Sequence, residues 1–178
     1  KDGSRYQQEE DLLIQKATER ITNIKTEGFI NQAMQDGIDR EPDARQLYEL
    51  VTKNKVEEVG FIAHPTIKMS GASPDGLIID SHKNEGVLEI KCPIDTTHTK
   101  TLIDKKLPTQ YMPQVQFQMA CTGFKYAHFV SYSPNFPDKQ KLIYILVPRD
   151  DKYIKQMEDA LEIFLTQVDA LVEKIKEK

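Results

Sequence analysis

Several features are scarce in this sequence, and each absence narrows the possible functions. The two cysteines, Cys92 and Cys121, are far apart and form no Cys-x-x-Cys pair, which favours reduced thiols inside a cell over a disulfide framework or a zinc site. The four histidines also lack the spacing of metal ligands. No apolar run approaches the roughly 20 residues that a membrane-spanning helix needs. The sequence therefore predicts a cytoplasmic globular protein with no membrane role.

A surplus of positive charge is also missing. Proteins that bind nucleic acids usually carry many Lys and Arg residues, whereas this chain has a formal net charge of −4. Positive residues nevertheless gather at Lys100, Lys105 and Lys106. Such a group either contacts a DNA backbone or is only solvated, and charge alone does not decide between these interpretations.

The length of 178 residues is typical of one domain with one core. The sequence has no initiator Met, and we interpret it as a truncated or incompletely recorded chain. Apolar residues at helical spacing predict helices over about 9–25, 41–52 and 113–121, with residues 1–8 loose and Pro42 in the first turn of the second helix. Alternating or short apolar runs predict strands over 77–80, 87–91, 127–132 and 141–147.

The remaining segments are less regular. Residues 58–63 and 66–70 have mixed extended character and predict two strands. Residues 93–109 show no period, which favours a long functional or mobile connection. The clearest helix is the last one, whose apolar residues from Ile154 to Ile175 recur every three or four positions. That seam either covers one face of the domain or forms a subunit contact. Helices before and after a group of strands predict an α/β or α+β sandwich.

One group of residues suggests catalysis. Asp75 ends a turn before one predicted strand, and Glu89 and Lys91 alternate on the same face of the next. A hairpin would bring the two carboxylates together, and Mg²⁺ prefers such hard oxygen ligands together with several waters. The main-chain carbonyl of Ile90 could complete the set, and Lys91 could stabilise negative charge at a phosphate. A salt-bridged hairpin without catalysis is the alternative interpretation of this spacing.

The wider sequence around these residues resembles a known family. The block Ser73-Pro74-Asp75-Gly76-Leu77, followed by Gly86-Val87-Leu88-Glu89-Ile90-Lys91-Cys92-Pro93, is similar to the phage lambda exonuclease family. This group is also called the YqaJ-type viral recombinases, within the Asp/Glu-x-Lys nuclease superfamily. Similarity continues at Tyr111-Met112-Pro113-Gln114-Val115-Gln116, at Ser131-Tyr132-Ser133-Pro134 and from Val147 to Tyr153. The resemblance implies a restriction-endonuclease-like α/β core, in which a central mixed β-sheet is flanked by helices.

The resemblance also assigns roles to single residues. It places the metal carboxylates at Asp75 and Glu89, the ligating carbonyl at Ile90 and the catalytic lysine at Lys91. Further catalytic residues carried over in this way are Glu41 and Gln114, and Ser73 matches a serine that holds the 5′ phosphate of DNA. From the residues alone, Glu41 could simply complement a helix dipole, Gln114 could be an ordinary first-turn residue, and Ser73 could stabilise a turn.

The activity implied by the resemblance is a metal-dependent 5′-to-3′ exonuclease. Such an enzyme degrades one strand of duplex DNA from a 5′-phosphorylated end and leaves a 3′ overhang for recombination. Mg²⁺ is the implied cofactor, with Mn²⁺ as a substitute. The implied partners are two further copies in a ring-shaped homotrimer and a single-strand annealing protein, in a bacterial or phage-infected cell.

Two other functions are compatible with the same residues. The first is a structure- or sequence-specific endonuclease on the same core, and the second is a non-catalytic DNA-binding module. The family usually opens with a Trp-containing segment that grips the 5′ phosphate, and no such segment occurs in this sequence. We therefore expect residues 1–178 to form a single nuclease domain from which that N-terminal segment is missing.

Overall fold

The computed structural model describes residues 4–26, 28 and 31–177, which divide between two compact units. One unit comprises residues 1–29 and 155–178, and the other comprises Ile30–Ile154. Compact units need not fold independently, so the single domain over 1–178 stays a prediction. None of the helices in the described ranges is long and apolar enough to cross a bilayer.

The first unit is built from two helices. Helix α1 spans Ser4–Thr22, and the last helix of the chain, α5, spans Asp151–Lys176 and contributes its residues from Lys155 onward. Ala17 of α1 is buried in one cluster with Val168 and Val172 of α5. The apolar seam of the last helix thus covers a surface of its own chain at these positions. Residues 4–8 belong to α1, so the predicted loose segment 1–8 was wrong for them; residues 1–3 lie outside the described residues.

The second unit contains three further helices and the strands. The helices are α2 (Gln32–Thr52), α3 (Asp95–Asp104) and α4 (Met112–Thr122), and a 3-10 helix spans Thr109–Tyr111. The strands are β1 (Lys55–Glu57), β2 (Ile62–Ala63), β3 (Gly71–Ala72), β4 (Gly76–Ile79), β5 (Glu85–Lys91), β6 (Tyr126–Tyr132) and β7 (Leu142–Pro148). The bounds of the last four strands, β4 to β7, and of helix α4 agree with the predicted segments to within two residues.

Five of these strands form a mixed sheet in the order β1-β4-β5-β6-β7, and β2 pairs with β3 separately. Strands β5 and β6 run parallel, whereas the other neighbours in the large sheet are antiparallel. A parallel pair requires a long crossover, and the chain makes this crossover through α3 and α4.

Helices cover both faces of the mixed sheet. Ala44 and Tyr48 of α2 pack in one core with Leu88 and Ile90, whereas Val115 and Met119 of α4 pack in another with Val87 and Phe129. Since successive strand residues point to opposite faces, Glu89 and Lys91 of β5 face α4. The predicted α/β fold with a central mixed sheet flanked by helices is confirmed.

The second helix begins earlier than predicted. It starts at Gln32, where Asn31 caps it by accepting a hydrogen bond from the Met34 N–H at 2.9 Å. Pro42 and Glu41 therefore lie inside the helix, and Glu41 is not placed to complement a helix N-terminus. The first turns of α2 are exposed and mostly polar, with Met34 and Ile38 as their only large apolar residues, so the pattern there was too weak to reveal them.

The predicted strands over 58–63 and 66–70 were largely wrong. Strand structure occurs instead over Lys55–Glu57, Ile62–Ala63 and Gly71–Ala72. A tight loop replaces the second predicted strand, because Nδ1 of His64 accepts the Ile67 N–H at 3.0 Å and the His64 N–H bonds to the Ser70 carbonyl at 2.9 Å.

Residues 93–109, predicted as a long functional or mobile connection without regular structure, instead contain α3 at their centre. His98 is fully buried, and its ring nitrogens lie 2.8 Å from the Ser131 Oγ and 2.8 Å from the Gln140 carbonyl oxygen. Asp95 accepts a hydrogen bond from the Ser133 hydroxyl at 2.7 Å. Polar contacts to residues that are distant in the sequence thus hold this helix, so its own sequence shows no apolar period.

Candidate active site

The loop before β4 places the Asp75 side chain beside β5. The Asp75 N–H donates to the Leu88 carbonyl at 3.1 Å, and the Ile90 N–H donates to Asp75 Oδ2 at 2.6 Å. The carboxylate thereby continues the β4–β5 hydrogen-bond ladder beyond the end of the strand. In a strand, the N–H and C=O of one residue point to the same edge. The Ile90 carbonyl therefore faces the edge at which Asp75 lies.

Glycine at position 76 permits this arrangement. A Cβ added there would lie 2.4 Å from Cγ1 of Val56 on the neighbouring strand β1. Real atoms do not approach so closely, so a side chain at this position would force Val56 or its strand to shift. The glycine allows the turn carrying Asp75 to enter the sheet in register with β5.

Glu89 is fully buried beneath α4 and accepts hydrogen bonds from three side chains. Its Oε1 accepts from Nε2 of Gln114 at 2.6 Å and from the Lys91 ammonium, and its Oε2 accepts from Nε2 of Gln118 at 2.6 Å. A buried carboxylate is costly unless it is paired and hydrogen-bonded. The donors from β5 and α4 meet that requirement and fix the orientation of the carboxylate.

Lys91 lies half-buried between Glu89 and an aromatic ring. Its Nζ lies 5.5 Å from the centroid of the Tyr111 ring, which favours the cationic form. Burial acts to lower the pKa of Lys91, but the charge and hydrogen bond of Glu89 and the charge of Asp75 raise it above the usual value. These contacts favour the cationic form of Lys91 in the metal-free site.

The Asp75 carboxyl has the most strongly altered acidity in the site. Burial, then the negative charge of Glu89, and also that of Glu41 raise its pKa to about 7, although the Ile90 N–H and Lys91 oppose the shift. Asp75 is therefore hard to ionise beside the carboxylates of Glu89 and Glu41. A bound cation would relieve the electrostatic repulsion among these three groups.

Glu41 reaches this region from α2. Arg45, one turn later, donates to Glu41 Oε1 at 2.5 Å and pairs with Glu58 at 3.0 Å, so the glutamate is held in place. The Glu41 charge acts on Asp75 and also on Cys92, where burial is the main cause that raises the thiol pKa to about 12. Cys92 packs against the α2-side core as a neutral thiol.

The structure therefore brings together six of the seven residues assigned from the sequence: Glu41, Asp75, Glu89, Ile90, Lys91 and Gln114. Gln114 lies in the first turn of α4, directly after Pro113. Ser73 is exposed in the loop between β3 and β4, two positions before Asp75, and none of the contacts described here joins it to the carboxylates.

The oxygen atoms at this edge suit a hard divalent cation. Within the described residues, no three His, Cys, Asp or Glu side chains converge as a complete ligand set. Mg²⁺ does not need one, because it is usually held by one or two carboxylates, waters and substrate phosphates. Asp75, Glu89 and the Ile90 carbonyl supply two carboxylates and one neutral oxygen, which fits Mg²⁺ or Mn²⁺.

Three residues at the site escaped the sequence analysis. Gln118 was missed although it lies one helical turn after Gln114 and thus on the same face of α4. Tyr111 was noted only as part of a similar segment, and its place beneath Lys91 depends on the 3-10 helix. Arg45 was also missed, although it lies one helical turn after Glu41 at the spacing of an i, i+4 ion pair; only its contact with Glu58 depends on where that loop lies.

Two of the three clustered lysines line a cavity near the site. Lys100 and Lys106 border a cavity of about 560 Å³ between α3 and the 3-10 helix, together with Thr101 and Thr109. Thr109 begins the 3-10 helix that ends at Tyr111. Lys105 does not line this cavity, and Asp104 adds one negative charge.

The raised pKa of Asp75 predicts a pH dependence of stability in the metal-free protein. The folded state holds a proton on Asp75 up to about pH 7, whereas an unfolded carboxyl loses it near 3.8. Stability is thus lost as pH rises through this window. We expect Asp75→Asn to gain roughly 1–3 kcal/mol relative to wild type between pH 5 and pH 8, measured by urea unfolding with a chelator.

Asp80→Asn provides the control. The Asn84 side chain and main chain hold the pKa of the exposed Asp80 below its usual value, so this group stays ionised and contributes no trend between pH 5 and pH 8. A constant difference between Asp75→Asn and wild type over that range would contradict the raised pKa.

Comparison with known proteins supports the resemblance read from the sequence. No curated protein matches this chain. Among solved structures, the alkaline exonuclease of Laribacter hongkongensis is 39% identical, with 94% of this chain and 83% of that chain covered and a TM-score of 0.86. A structure of the same enzyme in complex with dAMP gives the same values.

A phage-related exonuclease from Haemophilus somnus shares the fold at 14% identity, with a TM-score of 0.71 over 93% of this chain and 82% of that one. The family model of the YqaJ-like viral recombinase domain matches residues 2–125, a range that contains all the candidate site residues. The chain therefore belongs to the YqaJ-like viral recombinase domain family.

Proposed function

We propose that this protein is a DNA exonuclease that uses a divalent cation, Mg²⁺ or in its place Mn²⁺, to degrade one strand of duplex DNA in the 5′-to-3′ direction. The observation that carries the proposal is the cluster at the edge of the sheet: the buried Glu89 paired with Lys91, next to an Asp75 carboxyl of raised pKa. Family membership and the alkaline exonuclease relative support a nuclease in particular.

Asp75, Glu89 and the Ile90 carbonyl would hold the cation. When bound, it would lower the pKa of a water for attack on phosphorus and stabilise the departing oxygen. The cation would also reduce the repulsion among Asp75, Glu89 and Glu41, which together with burial raises the pKa of Asp75 in the metal-free site.

Lys91 contributes a fixed positive charge to the reaction. Its pKa is raised, so it stays protonated and donates to a phosphate oxygen, where negative charge grows in the transition state. Gln114 holds Glu89 in place through Oε1. Glu41, held by Arg45, lies on the α2 side of Asp75. It would accept a proton from the attacking water or bind a water in the outer hydration shell of the cation.

The direction of degradation requires recognition of a 5′ phosphate, and Ser73 is the residue proposed for it. Its exposure in the loop before Asp75 leaves the hydroxyl accessible to DNA. A ring of three copies around the duplex would keep a protein of net charge −4 on its substrate by topology. The 3′ overhang would then pass to a single-strand annealing protein in a bacterial or phage-infected cell.

Lys91→Ala tests the catalytic role. Loss of a charge that stabilises the transition state costs about 10²–10³ in rate, so we expect at least that loss in acid-soluble nucleotide release from linear duplex DNA with Mg²⁺. Release should also depend on a 5′ phosphate. Lys55→Ala, an exposed lysine on β1, is the matched control and should retain full activity.

Closed circular DNA separates the other functions. An exonuclease leaves it intact, and cutting of the circle would replace the proposal with an endonuclease. Wild-type protein that binds DNA yet degrades no DNA at any Mg²⁺ or Mn²⁺ concentration would contradict catalysis and favour a binding module.

The cavity lined by Lys100 and Lys106 predicts a contact with the DNA backbone. Each phosphate contact contributes about 0.9 to the slope of log K against log salt. We expect Lys100→Ala/Lys106→Ala to reduce that slope by roughly 2 in fluorescence anisotropy with duplex DNA and a chelator.

Lys55→Ala/Lys152→Ala removes the same charge elsewhere. Lys55 lies opposite Ile79, at the end of β4 that is remote from Asp75. Lys152 comes shortly after the C-terminal end of β7, which pairs with Tyr126 and is remote from Lys91. This control should keep the wild-type slope. Equal slopes for both double variants would show that the two cavity lysines are only solvated.

A further inference from the structure

Gln118 lies at the active site without any assigned role. It is buried to 1% exposure in α4, and its Nε2 donates to Glu89 Oε2 at 2.6 Å. Gln114 and Lys91 both donate to Oε1 of Glu89. Gln118 is thus the one side chain among the described residues that holds the second oxygen of this carboxylate.

The side-chain amide of Gln118 points its Nε2 towards Glu89, and this orientation has an energetic cost. Its own carbonyl oxygen is buried and has no hydrogen-bond partner within the described part of the chain. Buried polar groups are almost always satisfied, and an exception needs an explanation. Turning the amide over would place its oxygen against the carboxylate, so the contact with Glu89 fixes the orientation and leaves the carbonyl unpaired.

The hydrogen bonds to Glu89 leave one acceptor direction open. A carboxylate has about four lone-pair directions, of which Lys91 and Gln114 occupy those on Oε1 and Gln118 occupies one on Oε2. The open direction is therefore on Oε2. Without Gln118, the carboxylate could rotate about its terminal bond and lose this alignment.

We propose that Gln118 is a positioning residue that aligns Oε2 of Glu89 for a divalent cation. The proposal rests on the function proposed above and specifies which oxygen of Glu89 serves the cation. Hydrogen-bonding partners of metal ligands change metal affinity by about 10- to 100-fold when they are removed. Gln118 is expected to act in the same way through Glu89.

The test compares Gln118→Met with Gln116→Met. Methionine has a similar length but donates no hydrogen bond. Gln116 lies on the same helix with 1% exposure, but it bonds to the Pro148 carbonyl at 2.9 Å and the Asp150 N–H at 2.9 Å, away from Glu89. The two variants thus remove equally buried amides that serve different partners.

For Gln118→Met we expect Mn²⁺ affinity, measured by calorimetry without DNA, to fall at least about tenfold. The Mg²⁺ concentration for half-maximal nuclease activity should rise by a similar factor. The melting temperature with a chelator should fall less than that of Gln116→Met, because removal of the unpaired carbonyl offsets part of the cost of taking a donor from Glu89. DNA binding with a chelator should equal that of wild type.

For Gln116→Met we expect the opposite pattern. Two main-chain groups lose their partner, so the melting temperature should fall by about 2–8 °C, while Mn²⁺ affinity stays at the wild-type value. Gln118→Asn is a second variant that keeps an amide but shortens its reach, and it should also weaken Mn²⁺ binding.

Wild-type Mn²⁺ affinity in both Gln118 variants, with normal activity, would overturn the positioning role and leave the nuclease proposal intact. Failure of the wild-type protein to bind Mn²⁺ or degrade DNA would overturn the proposed function and, with it, this inference.

Discussion

The buried charge of Glu89 is the constraint on which the rest of the site depends. A carboxylate with no exposed surface survives only when donors surround it. Those donors come from two elements: Lys91 from the same strand, and Gln114 and Gln118 from α4. The packing of α4 over the sheet is therefore needed both to stabilise the buried carboxylate and to form the apolar core beside it.

The two faces of β5 carry different kinds of side chain, apolar on one face and charged on the other. Leu88 and Ile90 pack into the apolar core under α2, whereas Glu89 and Lys91 form an ion pair under α4. Breaking a buried pair by removing one partner typically costs about 3–5 kcal/mol. Such a pair is weak evidence for a purely structural role, since apolar residues of similar size would often serve stability as well or better. The cation site proposed at the Asp75 edge would account for an ion pair at this position.

Part of this arrangement could be predicted from the sequence. The alternation in β5 placed Glu89 and Lys91 on one face, and the turn before β4 placed Asp75 beside them, because both signals are local. The resemblance to the recombinase family added Glu41 and Gln114, which have no local signal of their own. Gln118 lies one helical turn after Gln114, so its place on the same face of α4 could also have been predicted from the sequence.

Other parts could not be read from the pattern. Helix α3 is anchored by His98 and Asp95 through partners more than 30 positions away in the chain, and polar anchors produce no apolar period. The first turns of α2 are exposed and mostly polar, so their apolar pattern is weak. The loop after His64 looked extended because its turn depends on one imidazole nitrogen that accepts a main-chain N–H.

The most direct test of the central claim is the position of a bound cation. Crystals of the protein grown with Mn²⁺, measured near the manganese absorption edge, would locate the ion by its anomalous signal. We expect a peak bounded by Asp75, Oε2 of Glu89 and the Ile90 carbonyl, and loss of that peak in Asp75→Asn. A peak elsewhere, or none at saturating Mn²⁺, would contradict the claim that these carboxylates form a cation site.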